Sequence, residues 1–335
     1  MPALAVADAL RTEGAHVVFI GGERAEAELV PAAGYELHKL DVAPLPRRRP
    51  VAAARAALTD ARAIWSASAL LRALGATAAV GAGGYVAAPL GVAATIRRVP
   101  LALMEADSHL GLANRMLAPL ARRIFLAFPI DKRADDRYLL TGRPVPQPAT
   151  DRDAARERFG IAPGETCVLV FGGSLGARSI NRAAVEAFAG ARFHVLHAAG
   201  HRDMPDLRSP GPHYDLRPYV ENFGEALLAS DLVVARAGGS IFEIAAHGRP
   251  AVLIPYPYAT GDHQTENARW MEQAGAAVVV PDAELTPARM AQEVGRLLAD
   301  PGRLTSMARA SASLARPDAA RTIASEVLAL ARRRT

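Results

Sequence analysis

Cysteine is nearly absent from this 335-residue chain; Cys167 is the single one, so no internal disulfide can form. It sits in an apolar run, which reads as a buried, inert thiol rather than a nucleophile. Long hydrophobic runs are missing too. The clearest, 166–171 and 251–255, fall far short of the roughly 20 apolar residues that a membrane span requires. The first residues show no basic segment followed by an apolar one, so no secretory leader is read and the expected compartment is the cytoplasm. Aromatics are only 5% of residues, and none is interleaved with the arginine clusters at 47–49, 97–98 and 122–123. Zinc-finger and basic-zipper spacings are absent as well, so nucleic acid is not an expected partner.

Half of the residues are hydrophobic and the net charge is +5, the profile of an α/β protein with some attraction to phosphates or anionic surfaces. A helix is expected over 3–12, a buried strand over 16–20, and a long alanine-rich helix over about 50–74. Strands near 77–80 and 100–104 alternate with helices after Gly84 and Gly111. This alternation predicts a parallel sheet with helices on both faces. Residues 141–150 carry three prolines and no periodicity, and read as a linker. The rhythm then restarts with strands over 166–171, 193–197, 232–235, 251–254 and 276–280. Three domains of sequence follow: 1–145, 146–316, and a C-terminal helix, 317–335, expected to cross back to the first domain. The second domain reads as a complete doubly wound unit. The first opens on a helix with no strand before it, so its first strand is read as missing.

Three turns in the second half carry the chemistry. Gly172-Gly173-Ser174-Leu175-Gly176-Ala177 joins a buried strand to a helix, where backbone N–H groups and the helix dipole receive phosphate. No lysine follows, which excludes a Walker loop, and the spacing is not G-x-G-x-x-G. Gly238-Gly239-Ser240 makes a second strand-to-helix turn, and Glu243 lies one helical turn after Ser240. Its carboxylate suits two ribose hydroxyls, or else simply a helix start favoured by the dipole. In the third, Gln264 and Asn267 stand three apart on one helix, with amides suited to sugar hydroxyls; Asp262 is either part of this site or a helix cap. Asp262 and His263 lack a third ligand, so no metal is expected. In the first half, Gly83-Gly84-Tyr85 and Glu105-Ala106-Asp107-Ser108-His109 end strands, with Glu105, Asp107 and His109 as candidate acid–base groups.

Taken with Gly111-Leu-Ala-Asn114, Asn181 and Glu243-Ile-Ala-Ala246, these motifs resemble the peptidoglycan N-acetylglucosaminyltransferases of glycosyltransferase family 28, over nearly the whole chain. The resemblance implies a GT-B fold, two Rossmann-like domains facing a cleft, and inverting transfer of GlcNAc from UDP-GlcNAc to lipid I to give lipid II. It implies a peripheral enzyme on the anionic cytoplasmic face of the cell membrane, with no cofactor. By the same likeness the donor is met by Gly173, Ser174, Leu175, Gly176, Gly238, Gly239, Ser240, Glu243, Gln264 and Asn267, with uracil beside Tyr219 and Val220. Glu105 is the implied catalytic group, and Gly83, Gly84, Tyr85 and Asn114 lie on the acceptor side.

The departures are specific. Asp107 stands where the family has an asparagine on the donor, so by the resemblance it too is donor-binding, with a carboxylate in that contact, and Pro146 stands where the family has an arginine after Pro144-Val145. The family's first strand and its glycine loop would precede Pro2, and the native product is expected to begin upstream of Met1. Two rivals follow: a UDP-GlcNAc 2-epimerase on the same fold, and a non-catalytic UDP-sugar-binding remnant. The loop 42–49, apolar and basic together, is the expected membrane contact.

Overall fold

The computed structural model describes residues 2–23, 26–42, 50–84, 86–130, 135–173 and 176–333, without the side chains of 50–60 and 260. It divides into two compact units, Met1–Val145 with Asp318–Thr335, and Pro146–Pro317.

Unit 1 contains α1 (Pro2–Thr12), β1 (Val18–Gly21), α2 (Glu26–Ala32), β2 (Glu36–Lys39) and α3 (Pro50–Ala73). It continues through β3 (Ala79–Gly81), α4 (Ala87–Ile96), β4 (Leu101–Glu105), α5 (Leu112–Leu117), β5 (Arg123–Leu126) and β6 (Tyr138–Leu140). Unit 2 follows with α6 (Arg152–Arg158), β7 (Cys167–Phe171), α7 (Arg178–Ala187), β8 (His194–Ala198) and β9 (Tyr214–Arg217). Its remaining elements are α8 (Phe223–Ala229), β10 (Leu232–Ala235), α9 (Ile241–Ala246), β11 (Ala251–Leu253), α10 (His263–Gln273), β12 (Ala277–Val279), α11 (Pro287–Leu298) and α12 (Pro301–Leu314). Helix α13 (Ala319–Arg332) belongs to unit 1.

In unit 1 the parallel sheet is in two parts, β1-β2 and β3-β4-β5-β6. Among the described residues no ladder joins β1 to β3. Helix α1 packs on both parts. Val6 and Leu10 meet Ala102, Met104 and Phe125 of the larger sheet, while Ala7 and Leu4 meet Val30, Tyr35 and Phe19 beside the smaller one. Helix α13 adds Ile323, Ala324, Val327 and Leu330 to the first cluster, a helical spacing that puts all four on one face. Each large side chain of this set contributes about 1.5–3 kcal/mol by leaving water. An ion pair of 2.8 Å between Arg123 and Glu326 pins α13 to β5.

Unit 2 is one six-stranded parallel sheet in the order β12-β11-β10-β7-β8-β9. Strands β7 and β10 are wholly buried, and their near-continuous apolar sequence is what a parallel strand covered on both faces demands. Registers Phe171↔Ala235 and Ala235↔Leu253 bring three strand ends level. Asp151, Thr286 and Asp300 cap α6, α11 and α12 by accepting backbone N–H groups, which sets where those helices start. Cys167 is fully buried, and burial pushes its thiol up to about 12. No helix among the described residues is long and apolar enough to cross a membrane.

Candidate functional site

The strand order of unit 2 reverses between β7 and β10: the chain winds outward through β8 and β9 on one side, then through β11 and β12 on the other. In such sheets ligands bind outside the carboxyl ends of the strands at this switch point. The turn after β7 carries Gly172, Gly173 and Gly176, and the turn after β10 carries Gly238 and Gly239.

The three glycines of the first turn have different reasons to be glycine. A Cβ on Gly172 would lie 2.4 Å from the Ala177 nitrogen, so the turn could not close. Gly176 has φ +78°, and its Cβ would lie 2.2 Å from the Ala199 carbonyl oxygen. Gly173 has φ +96° with nothing among the described residues within 4 Å of a Cβ, so no described residue closes the space above it. Ala177 precedes α7 in an extended conformation, and no side chain caps that helix among the described residues. The first N–H groups of α7 thus lack a capping side chain among the described residues, with the positive end of the helix dipole behind them. Ser174 and Leu175 lie outside the described residues.

Asn181 lies beneath this turn, where a Cβ on Gly176 would come 3.4 Å from its Nδ2. It is 1% exposed; its Nδ2 donates to Ala199 O at 2.8 Å and to Asp203 Oδ2 at 3.0 Å. Its Oδ1 meets His197 Nε2 at 3.0 Å, and His197 Nδ1 meets the Tyr214 hydroxyl at 2.7 Å. Burial drives the His197 imidazole down to about 4. The Arg202 guanidinium, bonded to Asp203, holds that carboxyl below its ordinary value.

Around the second turn, Gly238, Gly239 and Ser240 are half-buried, and Ser240 makes no capping bond. Among the described residues, a Cβ on Gly238 would meet only Gln264 Nε2, at 3.9 Å. Gln264 Oε1 accepts from Tyr256 N–H at 3.0 Å, leaving the amide nitrogen toward Gly238. Glu243 is half-buried in the first turn of α9, and its carbonyl accepts from His247 Nδ1 at 2.8 Å. Asn267 is 3% exposed, with Nδ2 donating to Ala237 O at 2.9 Å. Its Oδ1 is buried and has no partner among the described residues. Asp262, read as a possible cap, instead adopts φ +55° and accepts the Thr265 hydroxyl at 2.7 Å. Tyr219 is 54% exposed and stacks on His201 with rings 6.3 Å apart, while Val220 is buried.

Unit 1 has a pocket of about 220 Å³ lined by Pro2, Ala3, Met104, Glu105, Phe125 and Arg143, among others. Glu105 is 6% exposed and already accepts three N–H groups: Asp107 N at 3.1 Å, Gly111 N at 2.8 Å and Asn114 Nδ2 at 2.9 Å. Asn114 is buried and also donates to Met104 O at 2.9 Å. Both residues thus fix the turn 105–111, a use of their hydrogen-bonding capacity that the motif alone does not reveal. Asp107 is half-buried, and its carboxylate makes no hydrogen bond among the described residues; His109 is exposed. Gly83 and Gly84 both have positive φ, as a tight strand-to-helix turn requires, and Tyr85 lies outside the described residues. Among the described residues no three His, Cys, Asp or Glu side chains are grouped as metal ligands.

Residues 1–126 match the model of the glycosyltransferase family 28 N-terminal domain, and residues 167–323 that of the glycosyltransferase family 28 C-terminal domain. A relative from Rubrobacter xylanophilus is 40% identical, covering 98% of this chain and 100% of its own length. One from Salinibacter ruber is 41% identical, covering 99% and 94%. Both are named UDP-N-acetylglucosamine--N-acetylmuramyl-(pentapeptide) pyrophosphoryl-undecaprenol N-acetylglucosamine transferase. The crystal structure of Acinetobacter baumannii MurG superposes with a TM-score of 0.79 at 26% identity, covering 98% of this chain and 95% of that one. With matches to both family models and relatives near 40% identity along its length, the chain belongs to glycosyltransferase family 28, on the MurG branch, and has the GT-B fold of two Rossmann-like domains.

Proposed function

We propose that this chain is the hexosyltransferase that moves GlcNAc from UDP-GlcNAc to lipid I, giving lipid II for peptidoglycan. The observation that carries the donor half is the pair of open glycine turns at the switch point of unit 2. The acceptor half rests on the relatives' names.

In this reading the diphosphate lies over Gly173 and the first N–H groups of α7. Glu243 takes the ribose hydroxyls, Gln264 Nε2 takes a sugar hydroxyl, and the Tyr219-Val220 backbone flanks uracil. An acceptor hydroxyl oxygen attacks the anomeric carbon as the bond to the diphosphate oxygen breaks, and UDP leaves with the electron pair. Charge growing on the leaving oxygen is met by fixed N–H dipoles, which need no reorganisation at that moment. Glu105 accepts three N–H groups, which fixes the turn, and keeps acceptor capacity on Oε1. Asp107 is the carboxylate of that turn left to receive the proton of the attacking hydroxyl.

The apolar surface of unit 1 supports peripheral docking on an anionic membrane. Leu112, Met116 and Leu120 are 49, 61 and 44% exposed at a spacing of four residues along α5 and the turn after it. The exposed Arg115 and Arg122 flank them. Apolar side chains ringed by arginine suit a surface of anionic lipid. The loop 42–49 lies, from Ala43 onward, outside the described residues.

Incubation with labelled UDP-GlcNAc and lipid I should yield labelled lipid II and UDP. Conversion of UDP-GlcNAc alone to its 2-epimer, with no transfer, would replace this reading with an epimerase. UDP binding with neither reaction would leave a binding remnant.

A further inference from the structure

One buried arginine of unit 2 has no part in the motif reading. Arg236 follows β10 directly and is 8% exposed. Its Nη1 donates to Ile254 O at 3.2 Å, Pro255 O at 3.1 Å and Asp282 Oδ1 at 2.6 Å. Its Nη2 donates to Ser179 Oγ at 2.7 Å, and the Ser179 hydroxyl donates to Asp282 Oδ1 at 2.7 Å. Its guanidinium also sits 5.4 Å from the centre of the Tyr256 ring.

These bonds join the ends of four strands. Arg236 itself opens the loop to Gly238 and Gly239. Ser179 is in the first turn of α7, three residues after Gly176. Ile254 and Pro255 follow β11 and precede Tyr256, whose N–H holds Gln264. Asp282 follows β12. A planar guanidinium with five N–H groups can serve acceptors on several segments at once, whereas an ammonium is a single point donor. Burying that charge is tolerable because Asp282 pairs with it. The same pairing and burial keep Arg236 from presenting its own charge to a ligand.

We infer that Arg236 is a positioning residue for the donor, locking the first turn of α7, the Gly238-Gly239 loop and the Gln264 segment into one register. The inference rests on the donor-site reading above. It predicts a selective effect, because Glu243 and the Tyr219-Val220 backbone, the proposed ribose and base contacts, make none of these bonds. Loosening the hub should harm the diphosphate and sugar contacts and spare the nucleoside.

The test is calorimetry of UDP and of uridine on the full chain and on Arg236→Lys, Ser179→Ala and Ser179→Thr. Charge-assisted bonds of this kind predict UDP affinity about tenfold lower in Arg236→Lys and several-fold lower in Ser179→Ala. Uridine affinity should hold within about twofold in both. Ser179→Thr, which keeps the hydroxyl, should restore UDP binding. Unchanged UDP affinity, or an equal loss for UDP and uridine, would overturn the inference. If Arg236→Lys fails to fold, the Ser179 pair gives the same decision. A wild-type chain that binds neither ligand would instead overturn the donor-site reading, and the inference with it.

Discussion

Alanine placed at Gly173 and at Gly176, one at a time, should separate binding from folding within a single turn. Both glycines have positive φ, +96° and +78°, so each substitution incurs about 1–2 kcal/mol of backbone strain. At Gly173 nothing else is hit, and alanine's lower unfolded-state entropy returns part of that cost. The net loss is about 1 kcal/mol, or about 2–4 °C in a unit of this size. The new methyl, however, projects into the space assigned to the diphosphate. At Gly176 the methyl would lie 2.2 Å from Ala199 O, the same oxygen that accepts from Asn181. Relief requires breaking that buried bond, which adds about 1–3 kcal/mol. The total is about 2–5 kcal/mol, a drop of at least about 4 °C. Thermal melts and UDP calorimetry on both variants read the contrast. Gly173→Ala should fold and lose UDP affinity by about tenfold or more, while Gly176→Ala should be strongly destabilised. Full UDP affinity in Gly173→Ala, or wild-type stability in Gly176→Ala, would refute the reasoning.

Four further outcomes are expected. Glu243→Ala should weaken UDP and uridine together, since it removes a ribose contact; unchanged calorimetric affinity would take Glu243 out of the site. Asp107→Asn should lower kcat by about 100-fold or more with UDP affinity retained, and a full turnover rate would send the search for the base elsewhere. His197 is held at about 4 in the folded chain against an ordinary 6.5, so unfolding takes up a proton between those values. Its contribution is therefore present above pH 6.5 and is lost as pH falls toward 4, by roughly 3 kcal/mol; urea midpoints for His197→Gln should fall less steeply than wild type over that window, and identical slopes would count against it. Leu112→Glu with Met116→Glu should abolish cosedimentation with anionic vesicles while leaving UDP binding intact, and undiminished sedimentation would remove α5 from the docking surface.

The alternation of buried strands and glycine turns was legible because parallel strands covered on both faces are written as continuous apolar runs, as in 167–171 and 232–235. Strands β5, β6 and β9 were not anticipated. Tyr138–Leu140 and Tyr214–Arg217 are short edge strands with no fully buried face to impose a pattern. Glycine positions pointed to the donor turns, since positive φ and close approach restrict residue choice locally. Side-chain roles were less legible. Asn114, Asn267 and Glu105 have the chemistry of ligand contacts and also bond to Met104, Ala237 and the turn 105–111, while the Oδ1 atoms of Asn114 and Asn267 have no partner among the described residues. Whether an amide or carboxylate faces a ligand or its own backbone depends on the packing of distant segments, which residue type does not encode. Arg236 was hidden for the same reason, as its partners lie 18 to 57 positions away along the chain.

The central claim, a diphosphate nucleotide seated at the switch point of unit 2, is tested most directly by hydrogen–deuterium exchange with and without UDP. Protection should concentrate in peptides spanning 172–180 and 237–244, with none at 101–112. Protection at 101–112 with 172–180 and 237–244 unchanged would contradict the account.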